Sequence, residues 1–373
     1  MSMRYEPYSA KSMINRLRHV DDWFWASYTV NPYRGCAHGC IYCDARANQY
    51  GVAESFEGTV FVKENAAEVL DRQLLRLERA VAAMGGVCDS YQPIEKEKRV
   101  TRSVVELLCR HSFPVQVLTK SDLVLRDLEL YQEAGRRSWA CVFFTITTFD
   151  ERIASRFEPG ASPPERRLEA MRAVADAGLT TGVAMMPLLP GISDDDGNME
   201  DVVRRVKDAG GQFVLAAGLT LKEGAQRARY MGFLEQHYPE VVSLYHQLYG
   251  GGYETRGDYA PLLLRRAREI CTRHGIADRM SRPVLADDPL AVNKRIAEKL
   301  FLRAYDLFLE QAAGYRQWAY RKAAWAIDEM EDDLENLYRR EGRKGLQSIK
   351  GIGTRLATEV EGWLRSAPGE VQR

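Results

Sequence analysis

The chain has little cysteine outside one short stretch, no excess of charge of either sign, and no long apolar run. Of its seven cysteines, Cys88, Cys109, Cys141 and Cys271 stand singly. An odd total scattered in this way argues against a disulfide framework. Lys and Arg total 52, and Asp and Glu total 52, so the overall charge favours neither a nucleic-acid partner nor an anionic membrane. Any nucleic-acid surface is therefore expected to be a local patch. Residues 1–30 carry charges throughout and lack an apolar core with a small-residue cleavage site, and no later segment reads as membrane-spanning. The expectation is a cytoplasmic protein with no membrane contact.

What is present is an ordinary globular composition, 45% hydrophobic and 28% charged over 373 residues, enough for one large domain and a smaller one. Short β-branched or apolar runs predict strands at 59–63 (TVFVK), 114–120 (PVQVLTK), 139–148 (WACVFFTITT), 180–189 (TTGVAMMPLL) and 212–219 (QFVLAAGL). Amphipathic stretches at 66–81, 162–178 and 198–210 lie between them, and two of these end on glycine. Near-continuous apolar strands alternating with helices imply an α/β fold with a parallel sheet, as in a closed or partial (β/α) barrel. The alternation stops near residue 276. Residues 277–291 hold two prolines and a charged turn, and everything beyond reads as helix. In AEKLFLRAYDLF, Ala297, Leu300, Phe301, Ala304 and Phe308 share one face at helical spacing. The expected organisation is an N-terminal extension over 1–24, a barrel over 25–276, a linker over 277–292 and an all-α domain over 293–367.

The stretch NPYRGCAHGCIYCDAR, residues 31–46, places Cys36, Cys40 and Cys43 within eight positions. Zinc is one tenant for such thiolates, with His38 as a fourth ligand. A C-x-x-C redox pair of Cys40 and Cys43 is another. The third is an iron–sulfur cubane, in which three thiolates leave one iron open for a substrate or cosubstrate. Gly35 and Gly39 suit a loop that must fold tightly around such a group.

The spacing C-x3-C-x2-C, with Tyr42 just before Cys43, resembles the signature loop of the radical S-adenosylmethionine (SAM) superfamily. LTKSDLVLRDLEL at 118–130, RFEPGASPPERRLEAMRAVADAG at 156–178 and MPLLPGISD at 186–194 narrow the resemblance to the spore photoproduct lyase-like, DNA photolyase-type branch. The resemblance implies a partial TIM-like barrel, a 4Fe-4S cluster on the three cysteines and SAM on the open iron. It also implies a 5′-deoxyadenosyl radical, a flavodoxin or ferredoxin as electron donor, and lyase chemistry on a DNA lesion. By the same resemblance Tyr42 lies against adenine, while Lys120, Ser121, Thr147 and Thr148 line the SAM pocket. Pro187, Pro190 and Gly191 shape the loop beside the adenine. Cys88, in GGVCDSYQPIE, falls roughly where the lyase has its hydrogen-donor cysteine; as a lone cysteine it also reads as packing. Cys141, inside an apolar strand, is the weaker candidate. YGGGYETRGDYAP at 249–261 reads either as a loop that stacks a base or as a surface loop.

In the C-terminal part, LQSIKGIGTRLATEV at 346–360 has the spacing of a helix-hairpin-helix motif, whose glycines expose backbone N–H groups to a phosphate. With AYRKAAWAIDEM upstream it resembles the N-terminal lyase domain of DNA polymerase beta. That resemblance implies DNA-backbone contacts by Arg316, Tyr320 and Arg355, with Lys350, Gly351 and Gly353 at the hairpin. Glu359 stands where that domain carries its Schiff-base lysine, so DNA binding without lyase chemistry is expected there. The readings that remain beside DNA repair are modification of RNA or a nucleoside, and a non-catalytic nucleic-acid-binding iron–sulfur or zinc protein.

Overall fold

The computed structural model describes residues 3–47, 56 and 58–366. Two compact units are formed, one from Met1–Arg18 with Ala26–Met280 and the other from His19–Trp25 with Ser281–Arg373. Of the expected extension, residues 1–18 fall in the first unit and residues 19–24 in the second. Residue 367, the expected end of the helical domain, lies outside the described residues.

The first unit begins with strands β1 (Arg4–Tyr8), β2 (Ile14–Arg16), β3 (Tyr28–Val30), β4 (Tyr33–Arg34) and β5 (Thr59–Lys63). Helix α1 (Ala66–Leu74), strand β6 (Ala82–Met84), helices α2 (Glu95–Lys98) and α3 (Val100–Arg110) and strand β7 (Val115–Thr119) follow. Next come α4 (Leu128–Arg137), β8 (Ala140–Thr145), α5 (Glu151–Phe157), α6 (Pro164–Asp176), β9 (Gly182–Leu188), α7 (Asp196–Asp208) and β10 (Phe213–Gly218). Helices α8 (Ala225–His237), α9 (Pro239–Tyr249) and α10 (Tyr259–Arg273) complete it.

Seven strands form an open sheet in the order β10-β9-β8-β7-β6-β3-β2, parallel throughout except for β2. This is a partial α/β barrel. All six residues of β8 are buried, as expected of a parallel strand covered on both faces. The helices between strands start where local chemistry directs. The Asp150 carboxylate accepts from the Arg152 and Ile153 amides at the head of α5, Asp195 accepts from Asn198 N at α7, and Pro164 opens α6.

Two sequence expectations are corrected. The TVFVK strand, β5, is not in the barrel sheet; it is the centre of a separate three-stranded sheet in the order β1-β5-β4. The helix expected over 66–81 ends at Leu74, because Ala82–Met84 leaves for the sheet as β6. Ala-Ala-Met has low intrinsic strand preference, and its pairing with β3 and β7 overrides it.

The second unit holds α11 (Ala291–Leu309), α12 (Gly314–Asp328), α13 (Leu334–Ser348) and α14 (Thr354–Arg365). Ala297, Leu300, Phe301 and Ala304 are buried, with Trp25 edge-on to Phe301 at 5.8 Å; Phe308 is only partly buried. Buried Asn293 joins the turns, accepting from Leu334 N and donating to Asp332 O. Among the described residues no helix is long and apolar enough to cross a membrane.

Candidate active site

The loop between β4 and a short 3-10 turn at Asp44–Arg46 carries Cys36, Cys40 and Cys43. It is held from several directions. Gly35 sits at φ +84°, and a Cβ there would lie 2.7 Å from Thr59 O, so glycine is required at this crossing. Gln92 reaches into the loop, accepting from Ala37 N at 2.9 Å and donating to Gly35 O at 3.2 Å. Gly160 N donates to His38 O and Ile41 N to Phe157 O, while Gln226 Nε2 donates to Tyr42 O at 2.8 Å.

Arg46 is the internal brace. Its guanidinium is buried, donates to the carbonyls of Gly39, Cys40 and Ile41, and lies 4.3 Å from the centroid of the Phe56 ring. Three carbonyls that have no strand or helix partner are thereby satisfied by one cation.

All seven cysteines are free thiols. Burial is the main cause that pushes the Cys36, Cys40 and Cys43 thiols up, Cys40 to about 12, with Asp89 and Cys40 adding to it at Cys36, Glu158 and Cys43 at Cys40, and Asp44 at Cys43. Three thiols on one braced loop fit an iron–sulfur cluster that keeps one iron free of protein ligands.

Beside the loop lies a buried charged group. The Tyr42 hydroxyl donates to Glu158, and Arg167 pairs with the other carboxylate oxygen at 2.5 Å, both members of that pair being 2% exposed. Burial alone would raise the Glu158 carboxyl; Arg167 and Lys120 outweigh it and hold it below its ordinary value. Lys120 Nζ lies 5.6 Å from the centroid of the Tyr42 ring, and the lysine is held up by Cys40 and Glu158 against its own burial. The Asp89 carboxylate accepts from Lys120 N, Thr119 Oγ1 and Tyr91 N at 2.7–2.8 Å and faces His38 Nδ1 at 3.4 Å. The next residue, Ser90, is fully buried, and its hydroxyl has no partner among the described residues.

Lys120 and Ser121 follow the C-terminal end of β7, Thr147 that of β8 and Pro190 that of β9, the end at which barrel chemistry gathers. The Ser121 hydroxyl accepts from Leu123 N, and Ser121 shares a cavity of about 490 Å³ with His38, Gly160 and Arg166. Thr147 O accepts from Asn198 Nδ2. Pro190 is buried, and its neighbour Leu189 packs in one cluster with Cys40, Ile41 and Tyr42. Cys88 packs in one cluster with Cys36, Tyr33, Val60, Val62 and Ile94. Its thiol donates to Tyr33 O at 3.1 Å, and burial pushes it up to about 12. Cys141 is fully buried in β8 and raised by burial alone. The 249–261 loop is tied down, with Arg227 donating to Gly250 O and Gly252 O and Tyr259 to Asp194 at 2.6 Å.

In the helical unit, Lys350, Gly351 and Gly353 form an exposed turn between α13 and α14, with Gly351 at φ +86°. Arg316 is partly exposed. The Tyr320 hydroxyl, however, donates to Glu359 at 2.7 Å, and Arg355 pairs with the same carboxylate. Arg46, Glu158, Arg167 and Gln92 were not singled out from the sequence. Each acts on partners distant or unmarked in sequence, Tyr42 and Glu158 being 116 positions apart.

An open parallel α/β sheet with three thiols on one loop beside its strand ends defines a class, and comparison with known proteins agrees. The radical SAM superfamily profile matches residues 30–214. The chain belongs to the radical SAM superfamily, which implies SAM and an iron–sulfur cluster as cofactors. It is 32% identical over 256 residues to an uncharacterized protein of Mycobacterium tuberculosis, covering 67% of this chain and 75% of that one. An uncharacterized protein of Methanocaldococcus jannaschii is 30% identical over 223 residues, covering 59% and 79%. Among solved structures, spore photoproduct lyase complexed with dinucleoside spore photoproduct has the same fold, with a TM-score of 0.56, 17% identity and coverage of 72% and 79%. The same lyase has been solved with AdoMet and dinucleoside spore photoproduct together, and there the TM-score is 0.55.

Proposed function

We propose that Cys36, Cys40 and Cys43 hold a 4Fe-4S cluster and that the protein acts on DNA, reversing a UV photoproduct. The observation that carries this reading is the packing of Cys88 in one cluster with Cys36. A second thiol is thereby close to the radical source without belonging to the signature loop.

When bound, the cluster and SAM supply a 5′-deoxyadenosyl radical on reduction. The residues of this chain then divide the remaining work. Arg46 and Gln92 fix the loop carbonyls and amides. Tyr42, Lys120, Ser121, Thr147 and Pro190 form the surroundings of the SAM site, with Glu158 and Arg167 locking Tyr42 in place. Cys88, raised to about 12, stays an S–H group at neutral pH and has a hydrogen atom to give. Its S–H bond breaks homolytically as a C–H bond forms on the substrate radical, leaving a thiyl on Cys88. One electron from a flavodoxin- or ferredoxin-type donor and one proton from solvent restore the thiol.

The helical unit, over about 293–367, serves in this reading as a sequence-independent grip on the DNA backbone. Arg316, Lys350 and the Gly351–Gly353 turn face the phosphate, while Tyr320 joins α12 to α14 through Glu359 and Arg355 pairs with Glu359 within α14. A cytoplasmic location accords with the cluster's need for a reducing compartment. The test is anaerobic incubation of reconstituted protein with SAM, dithionite and either UV-irradiated DNA or irradiated RNA. Loss of a thymine photoproduct from DNA in step with 5′-deoxyadenosine formation supports the proposal; consumption of RNA photoproducts alone would replace DNA by RNA as substrate.

A further inference from the structure

Cys88 lies in the wall of a cavity of about 390 Å³ whose lining also includes Lys11, Arg34 and Lys63. No carboxylate lines it among the described residues, although acidic and basic residues are equal in number over the whole chain. The remaining lining is Tyr8, Tyr33, Asn31 and Ser12 together with Gly35 and Val87.

The small sheet builds this arrangement. In the register of β1 with β5, Tyr8 stands opposite Lys63, and β4 lays Tyr33 and Arg34 opposite Val62 and Phe61. Lys11 follows the end of β1. None of the three cations makes an ion pair among the described residues, and the Arg34 guanidinium lies 5.7 Å from the centroid of the Tyr8 ring. Burial lowers Lys63, with Cys88 opposing that and Arg34 adding to it. Three cations around one cavity whose lining holds no carboxylate among the described residues stand in an arrangement that an oxyanion relieves.

We infer that this cavity binds a phosphate oxyanion of the substrate, with Arg34 and Lys63 as its principal donors and Lys11 at its mouth. The phosphate so held sets the distance from the reacting carbon to the Cys88 thiol. This inference rests on the reading of Cys88 as hydrogen donor, but phosphate binding is measurable without catalysis. It also gives the three-stranded sheet, which lies outside the barrel sheet, a task at the site.

The experiment measures binding by calorimetry to the anaerobically reconstituted full chain with three probes: the thymidine dinucleotide TpT, its uncharged methylphosphonate analogue, and inorganic phosphate. The wild type is expected to bind TpT about tenfold more tightly than the neutral analogue, which corresponds to roughly 1.4 kcal/mol. In Arg34→Gln/Lys63→Gln that preference disappears while the thermal midpoint stays in place; Lys11→Gln, at an exposed position, serves as a second variant if the double variant fails to fold, and reduces the preference. A preference undiminished in these variants overturns the phosphate site and leaves the DNA reading intact. Phosphate binding that is lost in the variants, with TpT binding no tighter than inorganic phosphate, supports the site and overturns DNA as its ligand.

Discussion

The Tyr42 hydroxyl donates to the Glu158 carboxylate, tying the cysteine loop to the segment that follows α5. Arg167 holds the same carboxylate and also donates to Thr145 O at 2.8 Å, at the end of β8. The loop is thereby referenced to the barrel sheet through side chains as well as through the Ile41 N–Phe157 O and Gly160 N–His38 O backbone bonds. Tyr42 presents its ring toward Lys120 with its hydroxyl already engaged.

Arg46→Met removes the cation from three loop carbonyls while keeping the side-chain length against Phe56. Changes to groups that orient metal ligands cost about 10–100-fold in affinity. Iron content and cluster absorbance after reconstitution are expected to fall accordingly in a chelator competition. Retention equal to the wild type would show that the loop needs no internal brace.

Cys88→Ala is expected to leave SAM cleavage in place and to change the fate of the substrate radical, lowering the yield of repaired thymine and producing side products. The check is product analysis by mass spectrometry, run in D₂O. There the wild type delivers one deuterium from the exchanged thiol, and the variant delivers none from this position. An unaltered product and isotope pattern would remove Cys88 from the reaction.

Asp127 offers a test of stability away from the site. Its fully buried carboxylate accepts from Arg126 at 2.6 Å, Arg102 at 2.8 Å and Tyr91 at 3.2 Å. Burial alone would raise it, and the two arginines outweigh that and hold it below its ordinary value of 3.8. A carboxyl lowered by folding contributes stability that is complete above its unfolded-state value and is lost as pH falls through the folded one. Asp127→Asn is therefore expected to destabilise by about 3–5 kcal/mol at neutral pH, in urea unfolding of the unreconstituted chain. The difference from wild type should be constant above about pH 5 and shrink below pH 4. A difference independent of pH down to 2 would contradict the paired, charged state.

For the helical unit, Lys350→Gln should weaken DNA binding uniformly across sequences and reduce the slope of log affinity against log salt by about one. The hairpin lysine is exposed and neither α13 nor α14 contains it. An unchanged slope in fluorescence titrations would place the DNA grip elsewhere.

The sequence carried the three signature cysteines and five of the strands, because local spacing and apolar runs encode them directly. Strands β1 and β4 were not legible. β1 is four-fifths exposed and rich in charge, and β4 is two residues long, so neither shows a period; both exist through pairing with β5. The cationic cavity was hidden for the same reason, since Lys11, just beyond β1, meets Arg34 and Lys63 only through the pairing of that sheet. Arg46 lay inside the quoted cysteine stretch, but nothing local marks an arginine as buried. Glu158 and Arg167 likewise sat in a quoted segment, and their meeting with Tyr42 is a product of the barrel.

The most direct measurement is anaerobic reconstitution with iron and sulfide, followed by quantification of 5′-deoxyadenosine from SAM and dithionite, for the wild type and for Cys36→Ala, Cys40→Ala and Cys43→Ala. The account predicts a cluster and 5′-deoxyadenosine in the wild type and none in any of the three variants. Full activity in one variant, or a wild type that takes up zinc and forms no iron–sulfur cluster, would contradict it.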